Sequence, residues 1–380
     1  MARTKKPVTV KTAPAPAAVS NRDRLGQLAA VAEKFKGWRP AAEVLTRVQA
    51  QPTIFPQLNR KLRIGGWPLQ RFALVHGPSS MGKTTLVHGL GLSFLNGGHF
   101  YGYIDAEFTT PETWLAKLMA TQSTHPGFVA KRPKSYEDTV EAVREFAESI
   151  SAARESGKLD KETTALLVVD SIRKLVPEKL MEKIAKGDGG VDGASGRAAM
   201  MRAALNAQWL DELIPMLYHA NMTLIFIARE AENPNASPWE EQFKVGGGKA
   251  LVYDSSLVCR VTRAAWVKEG TGDAAKVVGE RHRVEIRKTK VAGKEGKTAE
   301  AFFHTSNGAI TPTGFDRARD VFDMATDLGV IEKSGAWYSF NGERFQGESG
   351  TVRALNANPD MLASVEANCE PGEGEDAEAG

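Results

Sequence analysis

Hydrophobic positions in this chain gather into short apolar runs separated by amphipathic stretches. Phe72–His76 and Phe100–Ile104 predict strands. The runs Ala165–Val169 and Thr223–Ile227 suit parallel strands buried on both faces. Between the runs, apolar residues recur every three or four positions. That spacing predicts helices over Thr84–Leu95, Pro111–Thr121, Tyr136–Arg154 and Arg197–Leu217. Ser256–Arg263 and Arg281–Lys288 read as edge or antiparallel strands. The alternation predicts an α/β fold: a mostly parallel, doubly wound sheet that takes ligands at the carboxyl ends of its strands.

The flanks differ in texture. Residues 1–20 are basic, then Ala/Pro-rich, and read as a flexible arm. Residues 21–52 read as a small helical element: one helix capped by Ser20 or Asn21 and running to about Phe35, and a second over 41–51. Such a piece must pack on the core or on another subunit. The core is expected over 53–311. A small α+β unit is expected over 312–369, with a helix at Phe315–Leu328, a hairpin over Ile331–Phe345 turning at Asn341-Gly342, and short helices at Gly350–Asn356 and Asp360–Ala367. Residues 370–380 form an acidic tail.

Two stretches break the pattern. Residues 186–196 are glycine-rich and flanked by Lys183, Lys186 and Arg197; Glu230–Gly248 carries Pro234, Pro238, Trp239, Phe243 and Lys244. Long loops in a compact domain are either functional or dispensable surface insertions.

Composition narrows the class. The 380 residues are 42% hydrophobic and 25% charged, ordinary for a soluble globular protein. Cys259 and Cys369 lie far apart and form no metal or redox spacing. No apolar run approaches membrane-spanning length, and the basic N-terminus lacks the apolar segment of a secretory signal. The net charge of +3 hides an asymmetry: the last 27 residues hold seven acidic and no basic residues, leaving the rest at +10. A basic body with an acidic tail suits a polyanionic partner with which the tail competes; the bland alternative is a solubilising tail.

The chemistry begins at Gly77-Pro78-Ser79-Ser80-Met81-Gly82-Lys83-Thr84-Thr85, which fits G-x-x-x-x-G-K-[ST] between an apolar strand and a helix. The glycines permit a tight turn whose N–H groups point at phosphate oxygens. Lys83 is placed to reach the β- and γ-phosphates, and the Thr84 hydroxyl to bind Mg²⁺. Asp170, at the tip of a buried strand, is placed to hold the same ion. Hydrolysis also needs a group to orient and deprotonate water; Glu107 is the candidate and Asp105 the runner-up. Trp114 either stacks on a base or belongs to the core. Lys288 and Lys290, two apart on a strand, point the same way. They are either solvated charge or, at a subunit boundary, a cap for a neighbour's γ-phosphate.

The order of these motifs resembles the RecA-type recombinases. It runs GPSSMGKTTL, YIDAEFTTPETWLAKL, LLVVDSI, RAAMMRAAL, LIFIA, VGGGKALVYDSSLVCRVTR, RVEIRKTKVA and GVIEKSGAWYSFNGE, covering about Gln57 to Cys369. The resemblance implies a P-loop RecA-like core and an ATP- and Mg²⁺-dependent helical filament on single-stranded DNA. Such a filament pairs its strand with homologous duplex DNA and exchanges strands, in the cytoplasm of a bacterial or phage-infected cell and without a membrane. It assigns Lys83 and Thr84 to phosphate and Mg²⁺, Asp170 to the metal, Glu107 to water, Trp114 to adenine, and Lys288 with Lys290 to ATP across the subunit interface. It places the first DNA-binding loop near 182–196 and the second near 230–247. Lys186, Arg197, Arg202, Trp239, Phe243 and Lys244 are thereby candidates to contact DNA. The phosphate-sensing Gln of the family is replaced here by Arg229, after Ala228, and the adenine-side Asp by Pro111. A ring-forming RecA-fold helicase or motor shares the P-loop but is not expected to carry the GAWYS-type C-terminal unit.

Overall fold

A computed structural model describes residues 21–32, 34, 36, 48–172, 175–186, 191–233, 237, 239, 243–269, 275–291, 295–296, 299–308 and 313–370. Backbone contacts divide the chain between Arg47 and Val48. In the first unit, α1 (Asn21–Ala32) leaves Leu25, Leu28 and Val31 exposed. The helix expected over 41–51 lies mostly outside the described residues. Its last two positions form a strand instead: β1 (Ala50–Gln51) pairs antiparallel with β2 (Trp67–Pro68), across α2 (Pro56–Leu62).

The large sheet is built on β3 (Phe72–Gly77), followed by α3 (Lys83–Asn96), β4 (Phe100–Asp105), α4 (Glu112–Met119) and β5 (Phe128–Lys131). Next come α5 (Tyr136–Glu155), β6 (Ala165–Asp170), α6 (Glu178–Ala185), α7 (Val191–His219) and β7 (Met222–Glu232). After β8 (Phe243–Val245) and α8 (Lys249–Asp254), the long strands β9 (Leu257–Glu269) and β10 (Lys276–Thr289) and then β11 (Glu300–Ser306) and β12 (Gly314–Phe315) complete it. The order is β12-β11-β10-β9-β3-β7-β6-β4-β5. From β5 to β9 neighbours run parallel, and from β9 to β12 antiparallel. The α/β expectation therefore holds, and the antiparallel extension is longer than the two strands foreseen.

Alternation along each strand sorts the core into two layers. Ala73, Val75, Ile225, Ile227 and Val261 face α3 through Leu86, Leu90 and Phe94. Their neighbours Leu74, Leu224, Phe226 and Val258 face α5 and α7 through Val143, Ile150, Trp209 and Leu213. A strand apolar on both faces is what a parallel sheet covered by helices requires.

The C-terminal unit has its own core, centred on Val321, Phe322, Ile331, Val352, Leu355 and Val365. It comprises α9 (Arg317–Asp327), the strands β13 (Glu332–Ser334), β14 (Trp337–Phe340) and β15 (Glu343–Gln346), then α10 (Gly347–Ala357) and α11 (Pro359–Asn368). Asn341 and Gly342 both take positive φ, 50° and 84°, as a two-residue hairpin turn of this hand requires. Arg281 of β10 pairs with Asp323 of α9, and His304 of β11 meets Asp320, tying this unit to the sheet.

Candidate active site

The phosphate turn lies between β3 and α3 and is pressed from behind by β9 and β10. Gly77 has φ 150° and Gly82 φ 95°. A Cβ on Gly77 would stand 2.2 Å from the Val261 carbonyl oxygen, and one on Gly82 2.4 Å from His282 Nδ1. The glycines are needed for close approach as well as for the turn. Arg263 donates to the Ser80 carbonyl at 2.9 Å, and His282 Nδ1 lies 3.2 Å from the Met81 carbonyl oxygen. No side chain caps α3 at Gly82, so the first amides of the helix keep their capacity for an anion.

Lys83 is buried and donates to the Pro78 carbonyl at 2.6 Å. Burial lowers its pKa; the Arg229 charge adds to that, against the pull of Asp170 and Glu107. The Thr84 hydroxyl donates to Asp170 Oδ2 at 2.7 Å, and the Tyr103 hydroxyl to the same oxygen at 3.1 Å. Burial pushes the Asp170 carboxyl up to about 6, with the Thr84 bond opposing and the Glu107 charge adding to the rise.

Glu107 is held over this group by main chain. The amides of Ala106 and Glu107 both donate to the Asp170 carbonyl, at 2.7 and 3.2 Å. The Ser171 hydroxyl donates to Glu107 Oε1 at 2.6 Å, and Arg229 engages both carboxylate oxygens. The runner-up Asp105 turns elsewhere: it accepts from the Thr109 amide and pairs with Arg132 at 3.3 Å.

A cleft of about 560 Å³ opens beside the turn. Residues 80–85 form one wall, Trp114 with Lys117 and Leu118 a second, and Arg263, Glu280, His282, Ser306 and Asn307 lie on a third. Trp114 is half-buried and edge-on to His88 with centroids 5.6 Å apart, so it packs on the core and faces the cleft at once. A nucleotide fits the arrangement: a backbone cradle, a buried cation and an aromatic wall. Thr84 and Asp170 offer the hard oxygens that Mg²⁺ prefers. Among the described residues no cluster of three or more His, Cys, Asp or Glu could hold a metal alone. The donor set thus fits an ion completed by phosphate and water.

Lys288 and Lys290 lie at the far end of the sheet from the phosphate turn. Lys288 registers with Val258, and Val258 with Leu74, near the start of β3. Their ammonium groups cap α8: Lys288 donates to the Val252 and Tyr253 carbonyls at 2.7 Å, and Lys290 to Tyr253 at 2.8 Å.

The two loop expectations change. The segment 186–196 is not an extended loop, since α7 begins at Val191; residues 187–190 lie outside the described residues. Lys186 is exposed just after α6, Arg197 lies on α7, and Arg202, also on α7, is half-buried. The second stretch begins as strand: β7 runs on to Glu232 and β8 returns antiparallel, pairing Glu230 with Val245. Trp239 is 96% exposed, Phe243 and Lys244 are exposed on β8, and Phe243 lies under the Arg260 guanidinium at 5.0 Å.

Sequence reading missed a cluster beneath this hairpin. Glu230 Oε1 lies 2.8 Å from both His76 Nδ1 and Arg260 Nε, and Arg260 Nη2 reaches Oε2 at 3.1 Å. Burial alone would raise the Glu230 pKa, but the bonds from His76 and Arg260 outweigh it and hold the carboxyl at about 2. Polar residues at strand tips were the available signal, and they read as loop.

The comparisons agree with this geometry. Residues 40–308 match the RecA N-terminal domain and residues 319–370 the RecA C-terminal domain. The chain is 30% identical over 335 residues to Protein RecA of Syntrophus aciditrophicus, covering 86% of this chain and 85% of that one. It is 33% identical over 321 residues to Protein RecA of Frankia casuarinae, covering 84% and 82%. Protein RecA 2 of Myxococcus xanthus is 31% identical over 321 residues, covering 84% and 79%.

Proposed function

The chain belongs to the RecA family, and from that premise we propose how its residues divide the work of a DNA-dependent ATPase that recombines DNA. The observation that carries the assignment is convergence. Lys83, Thr84, Glu107, Asp170 and Arg229 come from separate segments and meet beside one phosphate turn at the carboxyl ends of β3, β4, β6 and β7.

Residues Gly77 to Thr85 cradle the phosphates of ATP, with Trp114 against the base. Lys83 exchanges the Pro78 carbonyl for phosphate oxygens. Thr84 and Asp170 hold Mg²⁺, which when bound neutralises charge on the phosphates. Glu107 takes the proton of the attacking water, because it sits over Asp170 while Asp105 is spent on Arg132 and the turn. Arg229 faces the terminal phosphate. Lys288 and Lys290 cannot serve their own site from the far end of the sheet, which supports their reaching a neighbouring subunit's ATP in a helical filament. Single-stranded DNA is held by the segment near 182–196 with Lys186, Arg197 and Arg202, and by the segment near 230–247 with Trp239, Phe243 and Lys244; homologous duplex is the second DNA partner. The protein works in the cytoplasm of a bacterial or phage-infected cell. Among the described residues no helix is long and apolar enough to cross a membrane. The C-terminal match over residues 319–370 favours this reading over a ring-forming motor.

The test is joint-molecule formation between single-stranded DNA and homologous duplex, with and without ATP, beside Lys83→Ala. ATP-dependent joint molecules lost in the variant are expected; products independent of ATP and of Lys83 would refute the assignment.

A further inference from the structure

Arg229 and Glu107 form a contact whose consequence for hydrolysis is independent of where DNA binds. The guanidinium takes the carboxylate with two branches, Nε lying 3.1 Å from Oε1 and Nη2 sitting on Oε2. The side chains are only 33% and 12% exposed, so the pair is partly shielded from solvent. A two-branched Arg–carboxylate pair is among the stronger side-chain contacts, and its geometry is specific. A general base must offer a carboxylate lone pair to water. Here both oxygens face Arg229, and Oε1 also receives the Ser171 hydroxyl at 2.6 Å.

Arg229 also stands on the phosphate side. It registers on β7 opposite Gly77, the first residue of the phosphate turn. Its charge acts on the Lys83 ammonium, the group that meets the terminal phosphates. The Nε–Nη2 edge of one guanidinium serves one oxyanion at a time in two-branched geometry. A terminal phosphate beside Lys83 and the Glu107 carboxylate therefore compete for the same edge.

We propose that Arg229 is a positioning residue that changes acceptors: without a terminal phosphate it holds Glu107, and a bound nucleoside triphosphate takes the Nε–Nη2 edge and frees the carboxylate toward water. This rests on the reading of the cleft as the ATPase site and adds its regulation. No bond to carbon or phosphorus changes in the exchange. One anion replaces another on Arg229, and the released carboxylate becomes competent as a base only when there is a terminal phosphate to hydrolyse.

The test is a double-mutant cycle read by calorimetric affinity for two probes with Mg²⁺: ADP and the slowly hydrolysed analogue ATPγS. Wild type, Glu107→Gln, Arg229→Gln and the double variant are compared. In the Arg229 background Glu107→Gln is expected to tighten ATPγS about tenfold, because the triphosphate no longer competes for Arg229. Affinity for ADP should move by less than about twofold, and in the Arg229→Gln background the ATPγS gain should shrink to less than about twofold. Equal tightening in both backgrounds would mean simple charge removal, and equal tightening for ADP would mean the terminal phosphate is not the competitor. An absence of tightening would mean a permanent structural pair. Each of these overturns the exchange while leaving the ATPase assignment standing. Should Arg229→Gln fail to fold, Arg229→Lys, which keeps the charge but not the fork, takes its place with the same inequality. A wild-type chain that binds neither probe overturns the reading of the cleft and the exchange with it.

Discussion

Replacing Glu230 by Gln removes a charge and almost no volume, so its effect can be worked from the ion cluster alone. The folded carboxyl sits at about 2 against an ordinary 4.5, because the His76 and Arg260 bonds outweigh the cost of burial. The side chain is only 2% exposed, so solvent screening takes little from the difference. At about 1.4 kcal/mol per pH unit of pKa shift, the charge contributes roughly 3 kcal/mol of stability near pH 7. The folded pKa is depressed, so this contribution is fully present above pH 4.5 and disappears as the pH falls through about 2. For the unit spanning Val48–Gly380, an unfolding entropy of about 2.1 cal/mol/K per residue turns that loss into a melting shift of about 4 °C at pH 7. The assay is urea unfolding of wild type and Glu230→Gln at pH 7 and pH 3.5. The gap should narrow from roughly 3 to roughly 2 kcal/mol. A gap unchanged with pH, or absent at pH 7, would show that the cluster does not stabilise the charged form.

Gly82→Ala forces a Cβ into His282 at a positive φ and should destabilise the chain by about 1–3 kcal/mol in urea unfolding; an unchanged midpoint contradicts the packing described. Glu107→Gln should keep nucleotide binding but abolish turnover in a phosphate-release assay, whereas lost binding would make the carboxylate structural. Lys288→Ala combined with Lys290→Ala should leave nucleotide binding by the monomer intact, cost about 1 kcal/mol through the uncapped α8 and remove DNA-stimulated hydrolysis. Full stimulated activity would exclude a role across the interface. Deleting residues 370–380 should tighten duplex DNA binding at moderate salt, measured by anisotropy; no change would make the acidic tail a solubiliser.

The parts legible in the sequence are those whose signal is local. The apolar runs ending at Gly77 and Asp170 are buried throughout, and the glycine-bounded turn states its own chemistry. What escaped depends on register between distant segments. Strand β5 is a run of only four residues, Phe128–Lys131, too short for its apolar positions to show a period. The end of β7 reads as loop because Arg229 and Glu230 are charged; they stay in a strand because Glu107, His76 and Arg260 neutralise them. Those partners lie 122, 154 and 30 residues away in sequence, beyond any periodicity. Ser171 and Tyr103 were missed for the same reason: nothing in a hydroxyl's local context says which carboxylate it will meet.

The end of β7 also explains why nucleotide and hairpin are joined at that place. Successive side chains on a strand point to opposite faces. Ile227 lies in the α3 layer and Ala228 in the α7 layer. Arg229 accordingly falls on the side of the phosphate turn and Glu230 on the other. One residue is paired with Glu107; the next is fixed by His76 and Arg260, and Arg260 in turn supports Phe243 of β8. The Arg229 carbonyl also accepts the Gly246 amide at 3.0 Å, at the return of the hairpin. Further along, the Asn206 side-chain amide of α7 donates to the Gly247 carbonyl at 2.7 Å. A change of acceptor at Arg229 therefore acts on main chain that is already bonded to the base of the hairpin.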